Sequence, residues 1–277
     1  MRLATAPART PKLSGLRVAH ETFWHGLQAD GLLSRGAEGS DIAKFTFNRR
    51  TAFILKHPDY VDHVLHDGVD HYHKSIEYVL LGTAVGLSLF TDEDESWRRH
   101  RMMLNPGLSR RHLAGLFDLM VDPIEAFLVG LDDGEDRIPL EMSEAMTALT
   151  LDVVGSALFG RGMADLAVRI GPMVTDGLQA AELAMRLVLV ANPPIWLARA
   201  TAAVIEHAPL LPPPLDGVQT ILRTIDRTVW DVIRERQANP IDTEDLLGLL
   251  LTVRDEDGEA LPLRRVRDEA ATFMLAG

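Results

Sequence analysis

A mainly α fold with a small β-sheet region is predicted by three features of the sequence. From about residue 94 onward, apolar residues recur at spacings of three and four, the period of an amphipathic helix. The stretch around residues 45–55 instead alternates apolar and polar side chains as a strand does. Segments rich in Gly, Pro or acids separate the helical runs. With 277 residues, 47% hydrophobic and 25% charged, the chain can bury a sizeable core.

Residues 1–20 carry Pro7, Pro11 and Gly15 with little periodicity and read as an extended arm before a folded body over 21–277. Phe45 and Phe47 alternate with polar neighbours, Asn48, Arg49 and Arg50 supply a polar turn, and Ala52 to Leu55 form a second apolar run. A short hairpin follows from that pattern. Pro58 suits the first turn of a helix carrying Val61, Val64 and Leu65. A longer helix is predicted through Met146, Leu149, Val153, Val154, Ala157 and Leu158, with Gly160 as its stop. Another runs through Val218, Ile221, Leu222, Ile225, Val229 and Ile233. The separators are Asp132 to Asp136, Asn192 to Pro194, Leu211 to Gly217 and Asp255 to Glu259. Pro262 opens a last helix with Leu263, Val266, Ala270, Phe273 and Met274 on its apolar face, and this helix is expected to be cut at Gly277.

The charge balance removes some functions. Forty acidic against 28 basic side chains give a net charge of -12, which disfavours nucleic acid and anionic membrane surfaces as partners. Cysteine is absent, so these residues can form no disulfide, thiolate nucleophile or zinc-thiolate site. The N-terminal segment has no continuous apolar run of the secretory kind. The longest apolar stretch, Leu187 to Trp196, is interrupted by Asn192, Pro193 and Pro194 and falls short of the roughly 18 residues that span a bilayer. A cytoplasmic protein without a membrane span is the expectation.

Trp97 and Arg101 stand four residues apart and share a helix face. An indole N–H beside a guanidinium fork is a donor pair suited to a carboxylate or phosphate. The plainer alternative is a core tryptophan and an arginine paired with one of the many acids. The surrounding words, Trp97-Arg98-Arg99-His100-Arg101 followed by Asn105, Pro106 and Gly107, resemble the C-helix segment of the cytochrome P-450 family.

Three further stretches are similar to that family in the same order. They are Asp67 to Lys74, like the region after its B helix; Thr150 to Val154 with Leu158-Phe159-Gly160, like its E helix; and Arg267 to Gly277, like its I helix as far as Ala-Gly. The resemblance implies an incomplete cytochrome P-450 fold and a haem-dependent monooxygenase acting on an apolar small molecule. Trp97 and Arg101 would bind the haem propionates, and Ala276 and Gly277 would let a helix backbone approach the porphyrin. It also implies a ferredoxin or flavoprotein reductase docking near Arg98, Arg99, Arg110 and Arg111, and substrate-facing segments at Leu80 to Phe90 and around Met173 to Trp196. The family's acid-alcohol pair, E-x-x-R pair and cysteine loop follow the point matched by Gly277. The axial Cys ligand is missing from this chain, which is therefore expected to be inactive alone.

The rival enzyme reading rests on His57, His63, His66, His71 and His73, which fall beside Asp62, Asp67 and Asp70. Imidazoles and carboxylates together suit zinc, iron or manganese, and His66-Asp67 is a dipeptide found in helical metal-dependent phosphohydrolases. A non-catalytic haem-protein remnant is the third reading.

Overall fold

A computed structural model of the chain describes residues 12–13, 40–47, 50–131, 140–160, 196–197, 200, 215–240 and 245–276. The fold is mainly α with a small β region. Two compact units are formed, residues 1–80 with 179–204, and residues 81–178 with 205–277.

The first unit holds the sheet. Strands β1 (Lys12–Leu13), β2 (Ile42–Phe47) and β3 (Arg50–Leu55) lie in that order, β1 parallel and β3 antiparallel to β2. The hairpin predicted from the alternation is present, with Phe47 opposite Arg50 and Ile42 opposite Leu55. Arg50 belongs to the strand rather than the turn; Asn48 and Arg49 lie outside the described residues. Within the stretch read as an extended arm, Lys12–Leu13 adds a third strand. Helix α1 (Pro58–Asp62) starts at the predicted proline, with the His57 imidazole Nδ1 accepting the Asp59 N–H at 3.2 Å. It does not continue as an α-helix. The chain widens into a π turn over His63–Asp67 and tightens into a 3₁₀ turn over Val69–His71, leaving Val61 and Leu65 exposed.

The second unit is helical. Helix α2 (Ile76–Val85) leads into it, followed by α3 (Asp94–Leu104), α4 (Arg110–Gly115) and α5 (Phe117–Leu131). Next come α6 (Met142–Phe159), α7 (Leu215–Ala238), α8 (Leu246–Thr252) and α9 (Leu263–Ala276). Gly160 ends α6 as predicted, in a left-handed conformation (φ 83°) with its N–H donated to the Ser156 carbonyl at 2.8 Å. The separator read over Leu211 to Gly217 ends sooner than expected, because α7 already begins at Leu215. Residues 132–136 and 192–194 lie outside the described residues.

The core is built from the predicted stripes: Leu158 of α6, Ile225, Val229 and Ile233 of α7, and Val266, Ala270 and Met274 of α9, joined by Leu247 and Leu250 of α8. One buried ion pair ties three of these helices together. The Arg236 guanidinium of α7 donates to both carboxylate oxygens of Asp245, at 3.0 and 2.7 Å, and to the Phe159 carbonyl at 2.9 Å. Asp245 in turn caps α8 by accepting the Gly248 N–H at 2.7 Å. Among the described residues, no helix is long and apolar enough to cross a membrane.

Candidate functional site

Helix α3 is amphipathic in a way its sequence explains. His100, Met103 and Leu104 face the core, while Arg98, Arg99, Arg101 and Met102 are exposed. Trp97 sits between the two faces, half-buried, and its indole Nε1–H donates to the Leu89 carbonyl oxygen at 3.0 Å. Arg101, one turn further on, is exposed and makes no hydrogen bond or ion pair among the described residues. The predicted pair therefore occupies one helix edge, with the arginine available and the indole N–H engaged by the backbone.

The other arginines of the basic stretch differ in use. Arg99 pairs with Asp255, donating from Nε at 3.1 Å and from a terminal nitrogen, and this contact holds the Asp255 carboxyl below the usual carboxylate range. Arg98 reaches Glu95 at 3.4 Å. These two of the four expected docking positions are thus occupied within the chain. Arg110 and Arg111 are exposed and unpaired among the described residues.

Sequence reasoning missed how α9 holds the loop between α2 and α3. Leu87 donates its N–H to Asp268 Oδ2 at 2.9 Å, and Leu89 donates its N–H to Glu269 Oε1 at 2.6 Å. Arg265 donates to the Leu87 carbonyl at 2.9 Å, to Asp92 at 2.8 Å and to Ser96 Oγ at 2.9 Å. Three side chains within two turns of one helix thus hold the segment that carries the acceptor for Trp97. Gly86, with φ +81°, lies so close that a β-carbon there would come within 2.1 Å of the Asp268 carboxyl.

His100 and Glu269 meet at the centre of this arrangement, 4% and 1% exposed, with Nδ1 and Oε1 3.5 Å apart. Burial pushes the Glu269 carboxyl up to about 7, against the opposing effects of the Leu89 N–H and the Arg265 charge. Burial, then the Arg265 charge, lowers His100 to about 4. A neutral imidazole thus faces a carboxyl group whose proton is exchangeable near neutral pH. The signal was present in the sequence: Glu269 lies three residues after Val266 and four before Phe273, on the apolar stripe of α9, and His100 stands likewise beside Met103 and Leu104.

A cleft of about 690 Å³ opens beside this network, lined among others by Gly86, Leu87, Gln219, Asp226, Trp230 and Arg267. Leu87 places part of the expected substrate-facing segment there. The lining is mixed: Leu87, Leu222 and Trp230 stand beside charged groups, among which Arg267 pairs with Asp226 at 2.7 Å and with Asp268 at 3.0 Å. Of the other substrate-facing stretch, residues 173–195 lie outside the described residues. Ala276 ends α9, and Gly277 lies outside the described residues.

The histidine-rich stretch does not assemble a metal site in its own unit. His66 pairs with Asp62 at 2.8 Å on an exposed face, and the His63 ring packs edge-on against Tyr72. Among the described residues of that unit, no three such ligand atoms converge. The metallohydrolase reading is not supported.

Residues 34–277 match the family model for cytochrome P450. The chain is 40% identical over 282 residues to "Putative cytochrome P450 132" of Mycobacterium bovis, covering 99% of this chain and 60% of that protein. A protein of the same name from Mycobacterium tuberculosis strain H37Rv is also 40% identical, over 285 residues and with the same coverage. "Protein LUTEIN DEFICIENT 5, chloroplastic" of Arabidopsis thaliana is 25% identical over 246 residues, covering 85% of this chain and 40% of that protein. The chain belongs to the cytochrome P450 family. It spans about 60% of the length of the mycobacterial relatives it matches.

The family implies haem, and the residues present fit one part of that group. Arg101 offers an exposed guanidinium with no partner among the described residues, which suits a propionate. Trp97 can add its N–H only by releasing the Leu89 carbonyl. An iron-ligating thiolate is not among these residues, since the chain contains no cysteine.

Proposed function

We propose that these residues form the N-terminal part, over 21–277, of the single domain of a haem-dependent monooxygenase. In this reading Arg101, with Trp97 beside it, holds the haem carboxylates along the edge of α3. The observation that carries the reading is Arg101, exposed and unpaired among the described residues, one helical turn after Trp97 in a chain matched to the cytochrome P450 family over residues 34–277. Ala276 at the end of α9, and Gly277 after it, are the small residues that would let the chain approach the porphyrin in this reading. When bound, haem would supply dioxygen activation for inserting one oxygen atom into an apolar substrate, with two electrons from a ferredoxin or flavoprotein reductase. Arg110 and Arg111 are the exposed cations that would steer such a partner in an otherwise acidic, cytoplasmic protein. The thiolate that this chemistry requires must come from outside these 277 residues, which hold no cysteine, so the chain is inactive alone.

A difference spectrum of the purified chain with haem, dithionite and carbon monoxide tests this reading. Saturable haem uptake without the band of a thiolate-ligated ferrous carbonyl is expected. Absence of haem uptake would overturn the proposal.

A further inference from the structure

The His100–Glu269 couple is buried, apart from the exposed edge of α3 that carries Arg101. Its contacts converge on one residue. Leu89 is held at its N–H by Glu269 Oε1 at 2.6 Å and at its carbonyl by the Trp97 indole at 3.0 Å. The peptide between Leu89 and Phe90 is fixed from its other side, where the Phe90 N–H donates to Ser88 Oγ at 3.2 Å. Both peptide units flanking Leu89 are therefore pinned, and the carbonyl that receives the indole cannot rotate unless one of these bonds opens. A half-buried tryptophan N–H that lost this acceptor would have to find another.

We propose that Glu269, backed by His100, is a positioning residue for Trp97: through Leu89 it sets where the indole N–H points along the edge of α3. The consequence for haem rests on the monooxygenase reading; the positioning itself does not. Glu269 on α9 faces His100 from α3, lies near Asp92 from the preceding loop, and has Arg265 and Asp268 on its own helix. His100 leaves both ring nitrogens without a hydrogen-bond partner in the structure. Oε1 of Glu269 both accepts the Leu89 N–H and lies nearest His100 Nδ1, so a proton carried on Oε1 toward the imidazole weakens it as an acceptor for Leu89, whereas an ionised Glu269 offers Leu89 a full carboxylate oxygen. The state of this carboxyl is thus communicated to Leu89 and onward to the indole.

The test is proton NMR of the full chain with ¹⁵N-labelled tryptophan, with the Trp97 indole resonance assigned by Trp97→Phe. In wild type, this resonance is expected to be protected from solvent exchange and to shift as pH passes through about 7, the range in which Glu269 ionises. Glu269→Gln keeps an acceptor for Leu89 but cannot ionise, so its Trp97 signal should stay protected and lose the pH-dependent shift. Glu269→Leu removes the acceptor and should speed Trp97 exchange roughly tenfold, the loss of one hydrogen bond. A folded Glu269→Leu with unchanged exchange, or the same pH course in wild type and Glu269→Gln, would overturn the proposal. Should Glu269→Leu not fold, the comparison of wild type with Glu269→Gln decides alone. Haem titrations of the same variants separate the two readings: changed indole exchange with unchanged haem affinity in both Glu269→Leu and Arg101→Gln retains the positioning role and rejects haem contact at this edge.

Discussion

Asp245 and Glu269 are both buried carboxylates, but their partners differ. Asp245 is paired bidentately with Arg236 and also caps α8, so each of its carboxylate oxygens accepts at least one hydrogen bond. Removing one partner leaves an uncompensated buried charge. Arg236→Met is expected to cost about 3–5 kcal/mol in denaturant unfolding, and Arg236→Lys to recover only part of that because the fork is lost. Glu269 has no such cation within bonding distance, and burial raises its proton affinity. Raised from 4.5 to about 7, it favours the native state at low pH and loses that contribution as pH climbs between those values. His100, lowered from 6.5 to about 4, favours the native state above 6.5 and loses that contribution as pH falls. Between roughly pH 4.5 and 6.5 the two slopes oppose each other, so this couple adds little pH dependence there. Glu269→Gln should leave the His100 slope unmatched, making stability rise with pH over this interval by up to about 1.4 kcal/mol per unit. Equal pH profiles for the two proteins would contradict the assignment. Spacing made the tryptophan-arginine edge legible, whereas the buried couple was hidden because it depends on residues about 170 positions apart meeting in space.

Helices followed the apolar period where burial is one-sided and continuous, as in α6, α7 and α9, whose inward residues form the core. Periodicity failed at α1, where one helix was expected to carry Val61, Val64 and Leu65; the chain passes through π and 3₁₀ turns there and exposes Val61 and Leu65. It also overlooked α8, a seven-residue helix too short to show a period but anchored by its Asp245 cap. Two glycines mark where elements approach closely. A β-carbon at Gly107 would lie 1.9 Å from Leu249 Cδ2, pressing the segment after α3 against α8. Gly107→Ala is expected to lower stability by about 1–3 kcal/mol through overpacking, measured by thermal or denaturant unfolding. Gly86→Ala combines a left-handed backbone with a collision against Asp268 and should cost about 2 kcal/mol or more; it should also release the Leu87 contact, read as faster exchange of that amide. A neutral result at Gly86 would mean the loop is not held against α9 as described.

Across the whole chain, four short stretches in a fixed order carried the family, and the match over residues 34–277 extends through all of them. The mainly α architecture followed from the same sequence. The availability of each cation did not: Arg99 and Arg101 are two residues apart and both exposed, but the first is bound to Asp255 and the second is unpaired among the described residues. That difference depends on a loop more than 150 positions away. It makes Arg101 the residue on which the haem reading stands. Equilibrium titration of the purified chain with haem, comparing wild type with Arg101→Gln and with Arg99→Gln as the control, tests this most directly. The account predicts saturable uptake, weakened about tenfold or more by Arg101→Gln, the loss of a charge-assisted contact, and little changed by Arg99→Gln. Equal affinity in all three proteins would contradict it.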